Sequence, residues 1–111
     1  ALVASDGSFL QVNHALCRML GYEVDELLAL TFQDITHPDD LSADLKLVQQ
    51  VLDGEIETYH LEKRYIHRDG RLVWILLTVA LVRDRQGQPL YFISQIQDIT
   101  GAKVAEIALR E

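Results

Sequence analysis

Cysteine is nearly absent from this sequence, positive charge is scarce and no apolar run is long, and each shortage removes a class of protein. Cys17 is the one cysteine among 111 residues, so no internal disulfide can form. Nothing demands an oxidising compartment, and the expected location is cytoplasmic, although a parent protein could be anchored in a membrane. Ten Lys and Arg against seventeen Asp and Glu give a formal charge of -7. Nucleic-acid grooves and anionic membrane surfaces need clustered positive charge, so neither nucleic acid nor direct membrane contact is expected. The longest apolar run, Leu72 to Val82 counting Thr78, falls well short of the ~20 residues of a membrane-spanning helix. There are no repeats, no low-complexity tract and no internal linker. What is plentiful is apolar side chain: 49% of the residues are hydrophobic, enough for one core in a single domain.

Turn and cap residues divide the chain into short elements. Ala1 to Ala4 and Phe9 to Val12 read as a hairpin around Ser5-Asp6-Gly7-Ser8. Asn13 stands at an N-cap position before a helix His14 to Leu20, which Gly21 closes. Glu23 to Leu28 predicts a further turn or two with Leu27 and Leu28 inward, and Thr31 to Thr36 an irregular connector. Pro38, Asp39 and Asp40 suit the first turn of a helix, and Leu41, Leu45, Val48 and Leu52 follow at helical spacing up to Gly54. Three strands complete the pattern: Glu57 to His67, Leu72 to Arg83 and Leu90 to Gln97, separated by Arg68-Asp69-Gly70-Arg71 and Asp84-Arg85-Gln86-Gly87-Gln88. Such an order predicts an α+β fold with one antiparallel sheet and short helices on one face. After Thr100 a helical pattern still runs at Glu111, so a larger parent is expected, and Ala1 already lies inside the first strand.

Several fragments carry a resemblance. Asn13, "GYEVDEL" (21–27), "HPDD" (37–40), "EKRYIHRDG" (62–70), Trp74, "DRQGQP" (84–89) and "DIT" (98–100) occur in the order and spacing of the PAS family of sensory modules, over nearly the whole chain. The resemblance implies a five-stranded antiparallel sheet in the order 2-1-5-4-3 enclosing a pocket, with residues 1–100 as the sensory domain and 101–111 as the start of a helix to an output domain. Such an output would be a histidine kinase, as in two-component systems, a cyclic-dinucleotide synthase such as a diguanylate cyclase, or another PAS module.

The pocket positions carried over from the resemblance argue against the known cofactors. Phe32 stands where flavin-binding photosensors hold their reactive cysteine, and Tyr65, Ile75 and Ile96 stand where they hold flavin-bonding polar groups. The long helix contains no histidine to ligate haem, and His37, directly before Pro38, reads as a cap. His14, His60 and His67 are scattered, so no metal site is expected. No cofactor is identified, and no catalytic constellation or phosphate-binding loop is found. The expected pocket lining is Phe32, Lys63, Tyr65, Ile75, Leu77, Phe92, Ser94 and Ile96. These residues either accept a small apolar or aromatic ligand or fill the space themselves, and Lys63 either meets an anionic ligand or snorkels to water.

The strand Leu72 to Val82 is apolar on both faces. Trp74, Leu76, Ala80 and Val82 on the outer face predict an interface, either with a flanking helix or with a second copy in a homodimer. Asp98, Ile99 and Thr100 form the expected relay, with Asp98 accepting hydrogen bonds at the strand-to-helix junction and pairing with Arg68 or Arg71, and Thr100 capping the helix. The expected function is non-catalytic sensing or relay, with ligand-free dimerisation or protein interaction as the alternative and flavin or haem sensing disfavoured.

Overall fold

Short-range hydrogen bonds place the element boundaries in the computed structural model, which describes residues 1–110. Asp6 Oδ1 accepts from the Ser8 N–H at 2.9 Å, turning β1 (Leu2–Val3) into β2 (Phe9–Gln11). Gly7 sits in that turn at a φ of 98°, packed so closely on Gln33 that a Cβ would collide with it. Asn13 Oδ1 accepts from the Leu16 N–H and starts α1 (His14–Leu20), which ends at Gly21 with a φ of 80°. The left-handed conformation there favours glycine, and a Cβ would also strike the His67 ring.

The next two helices depart from expectation. In α2 (Val24–Leu28) Leu27 is fully buried while Leu28 points outward, because neighbours on a helix lie about 100° apart and so short a segment has one inward stripe. The segment predicted to be irregular forms α3 (Phe32–Ile35): Thr31 and Asp34 bond each other's backbone in a capping box, and Phe32 and Ile35 go into the core.

Helix α4 (Pro38–Leu52) begins where His37 Nδ1 accepts from the Asp39 N–H at 3.0 Å. Its inward stripe differs from the predicted one. Leu45 is 40% exposed, and Asp44, one position earlier, is buried among the core residues. Strands β3 (Thr58–Ile66), β4 (Leu72–Arg83) and β5 (Pro89–Asp98) then complete a sheet in the order β2-β1-β5-β4-β3, all pairs antiparallel. Period-2 alternation sends Val73, Ile75, Leu77 and Val79 of β4 into a core shared with Leu16, Leu20, Leu27, Ile35 and Val51 of the helices. On the opposite face Trp74, Leu76, Ala80 and Val82 are half-buried. Helix α5 (Thr100–Arg110) starts on that outer face, beside Trp74.

Candidate functional site

Between α3, α4 and the inner face of the sheet lies a cavity of about 20 Å³, space for roughly one water. Phe32, Lys63, Tyr65, Leu77, Phe92 and Ser94 line it, together with Val3, Asp44, Val48, Tyr59 and Val79. Its centre is polar. Lys63 is fully buried, and its Nζ lies 2.5 Å from Asp44 Oδ2 and 3.0 Å from Thr36 Oγ1. The same ammonium stands 4.5 Å from the centre of the Tyr65 ring and 4.9 Å from that of Phe32, where ring quadrupoles attract a cation. Tyr59 donates its hydroxyl to Asp44 Oδ1 at 2.8 Å, and Thr36 donates to the Phe32 carbonyl at 2.7 Å.

Lys63 therefore reaches neither bulk water nor a space larger than about one water; Asp44 takes up its charge. Loss of hydration pushes the Lys63 ammonium below the ordinary lysine range, and Asp44 opposes that push. Burial, with the Asp44 charge beside it, raises the Tyr59 and Tyr65 phenols far above the usual tyrosine range.

Two predicted lining residues lie elsewhere. Ile75 is fully buried but outside the cavity wall, and Ile96 lines an open groove of about 540 Å³ between α1 and β5, with Val12, Leu16 and Met19. Ser94 lines both spaces.

A second polar group clamps the start of α4. Asp40 accepts from Arg64 three times, from its backbone N–H at 2.8 Å, Nε at 3.0 Å and Nη2 at 2.8 Å. The Arg64 guanidinium in turn holds the Asp40 carboxyl below the usual carboxylate range. The His37 N–H adds a bond to the Arg64 carbonyl at 2.9 Å.

At the strand-to-helix junction Asp98 Oδ1 accepts from the Thr100 N–H at 2.9 Å. The expected ion pair is not formed: Arg68 pairs with Glu26 and Arg71 with Asp69. Thr100 does not cap its helix with its hydroxyl, which instead accepts from the Trp74 N–H at 3.1 Å and faces the Trp74 carbonyl at 3.4 Å. That carbonyl also accepts from the Ile99 N–H at 2.9 Å. Trp74 is covered by charge: Arg64 lies 5.2 Å and Lys103 4.9 Å from its ring centre. Among the described residues no cluster of His, Cys, Asp and Glu is arranged to hold a metal ion, and no helix is long and apolar enough to cross a membrane.

The family model described as the PAS fold matches residues 9–107. This chain belongs to the PAS family. The PAS chain is 54% identical to the Escherichia coli protein named "Probable diguanylate cyclase DgcE" over 96% of its own length and 10% of that protein's. It is 26% identical to the sensor histidine kinase TmoS of Ectopseudomonas mendocina over 99% of its length and 11% of that protein's. The chain thus spans about a tenth of the length of these relatives. Among solved structures, a sensory box histidine kinase/response regulator from Burkholderia thailandensis superposes with a TM-score of 0.79 at 27% identity, covering 98% of this chain and 82% of that one.

Within this PAS domain, sequence reasoning missed Asp44, Tyr59 and Thr36, the partners that fill the pocket around Lys63. A signal existed for the acids: Asp40 and Asp44 are one helical turn apart, and Lys63 and Arg64 are adjacent bases on a strand.

Proposed function

We propose that this PAS domain is a non-catalytic sensory relay whose input alters the packing around the Lys63–Asp44 centre and whose output leaves through Asp98, Ile99 and Thr100 into α5. The observation that carries this reading is the bonding of Ile99 and Thr100 to both backbone groups of Trp74. Any shift of β4 is thereby transmitted to the first turn of α5. The relatives' names support a diguanylate cyclase or a histidine kinase as the linked output domain, with residues from 101 onward as the start of the connecting helix. The small cavity supports input by a ligand no larger than the space that opens when α4 moves, or by a partner, rather than by a retained flavin or haem.

The test is Asp98→Ala in the full-length parent. Input and output should uncouple while the domain stays folded; regulation that persists unchanged overturns the relay.

A second reading, in which the domain serves as a ligand-free dimerisation module, is favoured by the apolar side chains left on α5, where Val104 is 60% and Leu109 89% exposed. The outer positions Trp74, Leu76, Ala80 and Val82 would extend that interface. Under this reading Trp74→Glu abolishes dimerisation and Ser94→Trp in the pocket is silent, whereas under the relay Ser94→Trp alters output.

A further inference from the structure

Helix α5 buries no side chain. Beyond the Trp74 backbone bonds, it is held to the sheet by Lys103, whose Nζ lies over the Trp74 ring and 2.7 Å from Glu62 Oε2. Glu62 and Arg64 are two residues apart on β3 and so project from one face, the face of Trp74, while Lys63 between them projects into the core. Register places Arg64 directly across from Trp74, Glu62 across from Leu76 and Lys63 across from Ile75. Asp40 and Asp44 grip Arg64 and Lys63 from successive turns of α4.

Three consecutive residues of β3 thus connect both long helices. We propose that Glu62-Lys63-Arg64 is a charge-exchange element by which the seating of α4 sets how firmly α5 is held. With α4 seated, Asp40 neutralises Arg64, the exposed Asp39 at 4.0 Å being a weak second partner on the same helix, and Glu62 is left to Lys103. When α4 withdraws, Asp40 and Asp44 leave together because they share one rigid helix. The freed guanidinium, already beside the same indole as Lys103, then turns to Glu62, two residues away on its own face. Lys103 loses its partner on the sheet and keeps only Glu106 of its own helix, 3.3 Å away, so α5 loosens. This element rests on the relay reading above, and it specifies which contacts α5 loses and why.

Amide hydrogen exchange on this chain tests it. In Asp40→Asn the amides of residues 103–107 should exchange roughly tenfold faster relative to the central amides of β4, which report global opening. Glu62→Gln should produce the same loosening, and Asp40→Asn added to it should produce no more. Arg64→Gln combined with Asp40→Asn should restore the protection, because no freed guanidinium remains to compete. Unchanged α5 exchange in Asp40→Asn, multiplying effects of Asp40→Asn and Glu62→Gln, or a pair with Arg64→Gln that stays loose would each overturn the exchange. These readouts do not involve the output domain, so they fail separately from the Asp98→Ala test.

Discussion

Helix α4 sends Asp44 and Val51 into the core and is clamped at its start by Asp40, whereas α5 buries nothing and meets the sheet through Lys103 and the backbone of Trp74. Both helices lie against β4 or its neighbour, and both are linked to β3 by ion pairs. The difference is solvent. Around Lys63 and Asp44 bulk water is excluded, so each charge depends on the other and the pair fixes one arrangement. Around Glu62, half of whose side chain is exposed, water competes for the bond to Lys103, so that pair holds α5 only weakly. The relay proposed for this domain requires both kinds of attachment, one helix bonded into the core and one held weakly.

The largest expected effect comes from breaking the buried pair. Asp44→Ala leaves Lys63 without a counter-charge and Tyr59 without its acceptor, and should lower stability by about 3–5 kcal/mol, read from the denaturant midpoint. Replacing both partners with apolar residues, Lys63→Met with Asp44→Leu, should recover most of that loss, which separates the cost of an orphaned charge from the worth of the pair. Failure of the double variant to recover would mean that the cluster's hydrogen bonds, rather than its charge balance, hold α4.

Asp40→Ala comes next. Its bidentate contact with Arg64 is only partly exposed, and its loss should cost about 1–3 kcal/mol at neutral pH. Because Arg64 lowers the Asp40 pKa below its usual value, the contribution is present above the ordinary carboxylate range and is lost as pH falls through the folded value. Asp40→Asn should therefore flatten the acid limb of the stability profile.

A smaller effect belongs to the alkaline limb. Tyr65 holds its proton in the folded state well beyond the ordinary tyrosine value, so its contribution is intact below pH of about 10 and is lost as the unfolded phenol ionises. Tyr65→Phe should flatten that limb. Lys63, shifted downward, acts with the opposite sign, since the unfolded state holds its proton longer and stability rises with pH. The smallest effect on stability is that of Lys103→Gln: the midpoint should not move measurably, while α5 exchange rises.

Much of the architecture was legible in residues that act over a few positions. Asn13, Gly21 and Pro38 marked helix ends that the structure places at His14, Leu20 and Pro38, and the glycine-containing turns separated β3, β4 and β5 at the expected places. Helix α3 was missed although Thr31 and Asp34 stand at capping-box spacing, because Asp replaces the commoner Glu or Gln and the helix is only four residues long. The site was harder to read. Asp44 was passed over in favour of Leu45, since an acid on a helix is ordinarily solvated, and the alternation of β3 placed Lys63 inward without naming a partner.

The sequence alone settled the order of the strands and of the helices other than α3, the caps at Asn13, Gly21 and Pro38, the turns between strands, and the apolar faces of β4. Each depends on interactions between residues close along the chain, where a carboxylate or glycine has its partner within reach whatever the rest of the molecule does. The fate of the charges was decided only by tertiary structure. Lys63 meets Asp44 across 19 positions and Thr36 across 27. Whether an ammonium is buried, and whether α5 is gripped or free, follows from which carboxylate the folded sheet brings to it and how much water remains beside them.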